Sequence, residues 1–182
     1  KIKISGITNK EDALNAASLG ADVVGFIFDK SDPRAVSIEK AEEIAMDLPP
    51  FTIINGSFKN QELEEIEETI KRCKLNVVEL NGSEKPTFCL KIKRKTCKLF
   101  ETSELEDLTL IAKYQGILSA IIINPHVNLD SDKIDLGIAI KAKEYDIPLI
   151  LKGNINTSNI NKISHLVKPY AIDLCETVER DL

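Results

Sequence analysis

Short apolar runs alternate with helical patterns along the whole chain, and this alternation constrains the fold more than any other feature. The eight runs lie at residues 3–5, 22–28, 51–58, 77–80, 98–101, 120–124, 149–152 and 171–174. Apolar residues at three- and four-residue spacing predict helices at 10–19, 38–47, 61–73, 103–114, 133–145 and 157–166, and a short turn at 83–90. Strands that alternate with helices pair in parallel through right-handed crossovers. The pattern therefore predicts an α/β protein, a (β/α)₈ TIM barrel in which residues 1–182 form one domain. The alternative, an open doubly wound sheet, lacks a glycine-rich phosphate turn after its first strand.

Composition narrows the class of protein. The chain has 182 residues and a net charge of -5. This negative charge does not favour nucleic acid as a partner. No apolar run approaches the roughly 20 residues that cross a bilayer, and no signal peptide is visible, which predicts no membrane partner. The four cysteines show neither CxxC spacing nor a metal-like spacing with the two histidines. We therefore expect reduced, mostly buried thiols in a cytoplasmic protein without a metal.

The chain after the eighth run is shorter than a barrel of this kind needs. Only residues 175–182 follow that run, whereas a complete barrel has a helix over its first and eighth strands. The expectation is that the last helix is missing from the chain, or that a second copy covers this seam in a homodimer.

The opening residues carry the most specific motif. Residues 3–8, KISGIT, describe a strand that turns into a helix N-cap at Thr8 and Asn9 and presents Ser5 at the strand end. This stretch resembles the opening Lys-Ile-Cys-Gly-Ile-Thr of the phosphoribosylanthranilate isomerase family of tryptophan biosynthesis. The resemblance continues through residues 20–28, 33–37, 48–51, 56–60, 75–82, 153–155 and 167–174.

The resemblance implies a reaction. The family converts N-(5'-phosphoribosyl)anthranilate to the carboxyphenylamino-deoxyribulose phosphate by an Amadori rearrangement, using a general acid and a general base and no cofactor. The small phosphoribosyl molecule is then the expected partner. Residues 33–37 resemble the family's Ser-x-Arg-x-Ile-Ser segment, which implies that Arg34 binds the anthranilate carboxylate. A guanidinium suits this role because its planar fork pairs a carboxylate with two hydrogen bonds.

Several positions depart from the family pattern. Ser5 stands where the family has its cysteine base, and Asn124 stands where it has its aspartate acid. A serine hydroxyl needs an adjacent base to react, and an amide has no proton to transfer in this step. Among the expected substrate-binding positions, Gly153 is kept and five residues depart from the family. Glu79 replaces a glutamine, Asn81 a histidine and Asn154 a glycine, and Cys175 and Glu176 stand in the family's Ser-Ser-Gly turn.

Two hypotheses about these departures stay open. In the first, other residues rebuild the site: His126 joins Ser5 and Asn124 as a catalytic group, Lys152 holds the phosphate, and Asp130 or Asp132 supplies a proton. The second histidine, His165, falls on an outer helix and is expected to be structural. In the second hypothesis the barrel has lost catalysis and works as a binding or assembly protein. A related sugar-phosphate enzyme with another substrate lies between the two.

Overall fold

The fold is a closed barrel of eight parallel strands. A computed structural model describes residues 1–101, 105–125, 127–128, 133–134 and 136–179. Around the barrel the strand order is β1-β2-β3-β4-β5-β6-β9-β10, and β1 closes the circle against β10. The barrel strands are β1 (Ile2–Ser5), β2 (Val23–Ile27), β3 (Ile53–Phe58), β4 (Val77–Leu80), β5 (Lys95–Phe100), β6 (Ala120–Ile123), β9 (Leu149–Lys152) and β10 (Ala171–Leu174). The prediction of a TIM barrel is confirmed.

Helices follow most of the strands. The α-helices are α1 (Lys10–Ser18), α2 (Ile38–Asp47), α3 (Leu63–Arg72), α4 (Pro86–Cys89), α5 (Gly137–Ala142) and α6 (Ile160–Leu166), and 3₁₀ helices span Leu105–Tyr114, Lys143–Tyr145 and Glu176–Val178. The first two α-helices begin at polar caps that the sequence shows directly. Asn9 accepts a hydrogen bond from the Asp12 backbone N–H at 2.9 Å, and Ser37 accepts one from the Lys40 N–H at 3.2 Å. Within the described ranges, no helix is long and apolar enough to cross a membrane.

Several predicted elements differ from the observed ones in bounds or type. The helix predicted at 103–114 is a 3₁₀ helix at Leu105–Tyr114, and the strand predicted at 51–58 begins at Ile53. The fifth strand begins at Lys95 and not at residue 98, because Lys95 pairs with Val77 of β4. The helix predicted at 133–145 begins only at Gly137, since β8 (Lys133–Ile134) pairs antiparallel with β7 (Val127–Asn128). The predicted turn at 83–90 contains the one-turn helix α4, which has a proline in its first turn.

Side chains alternate between the barrel interior and the helical layer. Outward residues such as Phe26 and Phe58 are fully buried against the helices and form the main apolar core. The interior is divided. One side holds a small apolar cluster made of Cys97, Leu99, Ala120, Ile122, Ile150 and Ala171. The other side holds buried polar and charged residues from β1, β3, β4 and β10, so the charged groups of the interior are concentrated in this half.

The outer face of β1 and β10 is less covered than that of the other strands. Ile2 is 41% exposed, and the outward residues Ile4 and Ile172 are partly exposed, whereas Phe26 on β2 is 0% exposed. A groove of about 380 Å³ runs along this seam beside α6. The seam that the sequence predicted therefore carries partly exposed apolar side chains.

Candidate functional site

The carboxyl ends of the strands gather most of the predicted site residues at one mouth of the barrel. Ser5 ends β1, Asn124 follows β6, Lys152 ends β9 and Cys175 follows β10. Parallel strands in a closed barrel point their carboxyl ends to the same face, where TIM-barrel enzymes carry their active sites. These four positions therefore lie at the same mouth of the barrel.

Ser5 forms a short hydrogen bond with a buried carboxylate. Its hydroxyl donates to Asp173 Oδ1 at 2.6 Å, and Asp173 is 0% exposed while Ser5 is 6% exposed. The register pairs Lys3 with Asp173, so Ser5 lies one interior layer nearer the mouth than the aspartate. Ser5 therefore separates this carboxylate from the space that a substrate would occupy.

A network of four buried or partly buried charges supports the Ser5–Asp173 pair. The Lys3 ammonium donates to Asp173 Oδ2 at 3.0 Å and also to Glu79 across the barrel. Glu79 Oε2 further accepts from Asn55 at 3.3 Å, and Glu79 Oε1 lies 3.8 Å from Lys152 Nζ. Two cations and two carboxylates thus balance one another inside the barrel. Buried ions of opposite sign are tolerated only when they are paired in this way.

The pKa values of the network follow from burial and pairing. Burial opposes the positive charge of Lys3, but the carboxylates of Asp173 and Glu79 outweigh it and raise the Lys3 pKa above its ordinary value. Burial alone would raise the pKa of Glu79, but the ammonium groups of Lys3 and Lys152 outweigh burial and lower it to about 2. Both groups are therefore charged at neutral pH.

Arg34 lies at the mouth and is oriented by a second carboxylate. Its Nε and Nη2 atoms donate to the two carboxylate oxygens of Glu179, with 3.0 Å between Nη2 and Oε2. Its other edge is only loosely contacted: Nη1 lies 3.5 Å from Asp32 Oδ1, and Nη2 lies 3.8 Å from Glu176 Oε1. The hydrogen bonds that Arg34 donates to Glu179 are the main cause of its raised pKa. The guanidinium is thus fixed along one edge by Glu179, while its Nη1–Nη2 edge has only these longer contacts in a side chain that is 9% exposed.

Gly6 allows Arg34 and Cys175 to approach the turn after β1. Its φ is +79°, and a Cβ built there would lie 2.7 Å from Arg34 Cδ and 3.0 Å from Cys175 Sγ. Any other residue would push Arg34 away from the mouth. Glycine is the residue that tolerates both the backbone angle and this proximity.

Cys175 does not replace the family's cysteine base. Burial raises the pKa of its thiol to about 11, so the thiol is protonated at neutral pH. Its Sγ lies 3.9 Å from Glu179 Oε1, which also disfavours a thiolate. The neighbouring Glu176 side chain is 80% exposed and can point away from an anionic ligand.

Asn124 lies against the turn that follows β9. A Cβ at Gly153 would lie 2.7 Å from Asn124 Oδ1, and Gly153 has a φ of +120°. The next residue, Asn154, has an exposed side chain whose Oδ1 accepts a hydrogen bond from Asn156 Nδ2 at 3.3 Å. The positions after β6 and β9 are therefore adjacent, as the sequence predicts for neighbouring strands.

Two of the predicted substrate-binding residues, Glu79 and Asn81, form contacts inside the protein. Glu79 is 0% exposed and contacts Lys3, so its carboxylate has no access to the open mouth. Asn81 donates to Ser57 Oγ at 3.4 Å, and its buried Oδ1 has no hydrogen-bond partner within the described part of the chain. His126, Asp130 and Asp132 lie outside the described residues.

Three charged residues that contact the predicted site residues were not among the sequence-based candidates, and His165 lies away from them. Asp173, Lys3 and Glu179 were not proposed, although charged residues at alternating positions of an apolar strand signal a polar interior for the first two. His165 lies on α6 with an exposed side chain, as the sequence predicts. No sequence pattern identifies Glu179, because its pairing with Arg34 joins residues 145 positions apart.

Gly25 is expected to be required for the geometry of Ser5. A Cβ at Gly25 would lie 3.1 Å from Ser5 Oγ and 3.3 Å from Lys3 Cε, both of which are held by the network. We expect Gly25→Ala to lower the free energy of unfolding by about 1–3 kcal/mol through overpacking and to shift Ser5 away from Asp173. Chemical denaturation measures the stability loss, and the crystal structure of the variant measures the Ser5–Asp173 distance. Gly20→Ala is the control for destabilisation alone: its φ of +97° strains an alanine, but the added methyl meets nothing within 4 Å, so Ser5 should stay in place. An unchanged Ser5 in Gly25→Ala would contradict the prediction.

Comparison with known proteins identifies the family. The family model for N-(5'phosphoribosyl)anthranilate (PRA) isomerase matches residues 2–181. The N-(5'-phosphoribosyl)anthranilate isomerase of Geobacter metallireducens is 36% identical over 98% of this chain and 89% of the relative. The solved phosphoribosyl anthranilate isomerase of Thermotoga maritima superposes with a TM-score of 0.92 at 31% identity, covering 100% of this chain and 90% of that one. A second solved isomerase, in complex with reduced 1-(o-carboxyphenylamino)-1-deoxyribulose 5-phosphate, superposes with a TM-score of 0.90 at 32% identity. The match covers 100% of this chain and 89% of that one. The chain belongs to the N-(5'-phosphoribosyl)anthranilate isomerase family.

Proposed function

We propose that this protein catalyses the Amadori rearrangement of N-(5'-phosphoribosyl)anthranilate to the carboxyphenylamino-deoxyribulose phosphate. The observation that carries the proposal is Arg34, which Glu179 holds at the barrel mouth with one donor edge left for a ligand. A carboxylate-bearing ring bound at this edge lies over the end of β1, where Ser5 is hydrogen-bonded to Asp173. The reaction moves protons and needs no redox cofactor, so the groups already at the mouth supply its chemistry.

Arg34 supplies the anchor for the anthranilate carboxylate. A bidentate guanidinium–carboxylate pair fixes both the position and the plane of the ring. Glu179 positions the guanidinium, while Asp32 and Glu176 contact its free edge too loosely to compete with a well-placed substrate carboxylate. Substrate binding then replaces two long contacts with two short ones.

The phosphate is proposed to bind at the turns after β9 and β10. Lys152 supplies a positive charge there, and Gly153 and Asn154 supply a turn whose backbone a ligand can approach. Cys175 and Glu176 border the same region from β10. The exposed side chain of Glu176 has room to turn outward, which relieves its repulsion from a phosphate dianion.

Ser5, Asn124 and His126 are proposed to line the reacting centre. Asn124 orients the sugar by hydrogen bonding, because an amide both donates and accepts but transfers no proton. His126 is the proposed proton donor for opening the ribose ring, as an imidazole titrates near neutral pH. Ser5 is proposed to face the carbon that loses its proton. Asn81 remains a proposed substrate-binding residue outside this reacting centre.

A second candidate function is a barrel that binds or assembles without turnover. The observation in its favour is the seam of β1 and β10, where Ile2 is 41% exposed. A solved structure that resembles this chain is described as mutually generated monomers of the dimeric isomerase of Thermotoga maritima. We propose a homodimer across this seam, in the cytoplasm. Light scattering tests it: Ile2→Glu should convert a dimer into a monomer, and a monomeric starting protein would contradict it.

Binding of a product analogue tests the proposed function directly. We expect reduced 1-(o-carboxyphenylamino)-1-deoxyribulose 5-phosphate to bind with a measurable heat in titration calorimetry. The matched competitor is the same analogue without its phosphate, and we expect it to bind at least about tenfold more weakly, because the turns after β9 and β10 then have no ligand. Absence of binding at millimolar concentration would overturn both the substrate assignment and the proposed phosphate site.

A further inference from the structure

We propose that Asp173 is the proton acceptor of this enzyme and that it works through the Ser5 hydroxyl, in place of the thiol base that the family carries at position 5. The proposal rests on the proposed isomerase function and names the residue that makes it possible without a cysteine. Three features of the described residues carry it: the Ser5–Asp173 contact, the layer in which each residue lies, and the way Lys3 is shared.

The Ser5–Asp173 contact has the geometry of a proton relay. The hydroxyl donates to Asp173 Oδ1 at 2.6 Å, a normal distance for a hydrogen bond from a hydroxyl to a carboxylate. Asp173 is 0% exposed and lies one interior layer below Ser5, so it has no direct access to a substrate. Among the described residues, the Ser5 hydroxyl is the group that connects this carboxylate to the mouth, so it is the route by which a proton from a substrate reaches Asp173.

A serine hydroxyl alone is a poor base, but the Asp173 carboxylate can accept its proton. A hydroxyl becomes reactive when an adjacent base accepts its proton. Among the described residues, Asp173 is the carboxylate that contacts the Ser5 hydroxyl. The nearby thiol of Cys175 is protonated at neutral pH and cannot serve. Asp173 therefore occupies the place of the adjacent base.

Lys3 is shared between two carboxylates, which leaves Asp173 able to accept a proton. The ammonium contacts Asp173 Oδ2 at 3.0 Å and makes a closer contact with Glu79. When Asp173 becomes neutral, Lys3 keeps Glu79 as its counter-ion, so no cation is left unpaired inside the barrel. Glu79, which replaces the family's glutamine, thus has a function that a neutral amide would not provide.

The proposed steps balance in atoms and charge. In the ring-opened iminium, the C2–H bond breaks, its proton joins Ser5 Oγ, and the serine proton passes to Asp173. The C2–H electron pair forms the C1–C2 double bond, and the C–N π pair returns to nitrogen. Asp173 then returns its proton through Ser5 to C1, and the C2 hydroxyl releases its proton to water as the ketone forms. That released proton replaces the one used to open the ring.

The test combines removal of the carboxylate with restoration of a thiol. Turnover of freshly generated phosphoribosylanthranilate is followed by fluorescence for the starting protein, Asp173→Asn, Ser5→Ala, and the double variant Asp173→Asn with Ser5→Cys. Asp22→Asn, an aspartate at the opposite end of the barrel paired with Lys1, is the matched control. Calorimetric binding of the product analogue to each variant shows that the site is folded.

We expect Asp173→Asn and Ser5→Ala each to lower kcat about 10²–10⁴-fold while analogue affinity stays within about threefold. We expect the double variant to regain at least about tenfold over Asp173→Asn, because a thiol at position 5 supplies its own base. A purely structural role of Asp173 would not be rescued in this way. Ser5→Ala leaves the Lys3 pair intact and keeps the proposal testable if Asp173→Asn unfolds.

Two results would overturn the proposal, and they differ in what else they affect. If the starting protein turns over and Asp173→Asn retains activity within about threefold, Asp173 is not the acceptor and the isomerase function stands. If the starting protein and all variants are inactive, the proposed function and the relay fall together.

Discussion

Replacement of Lys3 by methionine is expected to lower the free energy of unfolding by about 3–5 kcal/mol, the range for breaking a buried ion pair. The variant loses the ammonium that Asp173 and Glu79 share, and both carboxylates are 0% exposed. Lys152 lies 3.8 Å from Glu79 and compensates only in part. Since 1 kcal/mol shifts the melting temperature of a domain of this size by about 2–4 °C, calorimetry should show a drop of roughly 6–20 °C.

The loss of stability in Lys3→Met should depend on pH. In the starting protein the pKa of Glu79 is lowered, so its stabilisation is present above the unfolded value near 4.5 and is lost as the pH falls toward about 2. The pKa of Lys3 is raised, so its stabilisation is present below the unfolded value of 10.5 and is lost above that value. Without Lys3, burial dominates and raises the pKa of Glu79. The stability difference between the two proteins should therefore be larger at pH 8 than at pH 5, where the buried carboxylate takes up a proton.

The control for this experiment is Lys10→Met. Lys10 pairs with Asp47 at 2.8 Å, but both side chains are about half exposed. Such surface pairs contribute about 0–1 kcal/mol, so this variant should melt close to the starting protein. A Lys3→Met protein that is as stable as Lys10→Met, or equally destabilised at both pH values, would contradict the charge network.

Replacement of Arg34 by lysine is expected to weaken binding of the product analogue about 10–100-fold. A hydrogen bond to a charged group contributes about 1.5–3 kcal/mol, and lysine cannot contact Glu179 and a ligand carboxylate with one planar fork. We expect the loss to disappear for an analogue in which aniline replaces anthranilate, because that ligand has no carboxylate. Titration calorimetry with both ligands makes the comparison.

Arg72→Lys is the matched control for Arg34→Lys. Arg72 also pairs with carboxylates, at 2.8 Å from Glu39 and 2.7 Å from Glu42, but it lies on the outer helix α3. Its substitution should leave analogue affinity unchanged. Glu179→Gln should weaken binding less than Arg34→Lys does, because the guanidinium remains and only its orientation is loosened. Equal affinity of Arg34→Lys for both ligands would show that Arg34 does not bind the carboxylate.

Much of the fold was predictable because it depends on local patterns. The eight apolar runs and the caps at Asn9 and Ser37 are visible in the sequence, and the closed barrel follows from their number and alternation. The start of β5 was not predictable, since Lys95 enters the strand through pairing with Val77. The hairpin of β7 and β8 was also missed, because two-residue strands leave no periodic signal.

For the candidate site, the sequence could predict only the residues whose location follows from their place at the end of a strand. Ser5, Asn124 and Lys152 end strands or directly follow them, and parallel pairing brings strand ends to one mouth. The partners that give them chemistry come from distant strands. Lys3 meets Glu79 only because β1 and β4 face each other across a closed barrel, so a glutamate that looked like a ligand in the sequence is part of a buried ion network.

The most direct test of the account is turnover of freshly generated phosphoribosylanthranilate by the unmodified protein, followed as loss of substrate fluorescence. The account predicts enzyme-dependent turnover that saturates with substrate and is inhibited by the reduced product analogue. Turnover with Ser5 and Asn124 in place would show that a barrel without the family's thiol and carboxylic acid still isomerises its substrate. No turnover above the uncatalysed rate, with tight analogue binding retained, would contradict the account and identify a barrel that binds without catalysis.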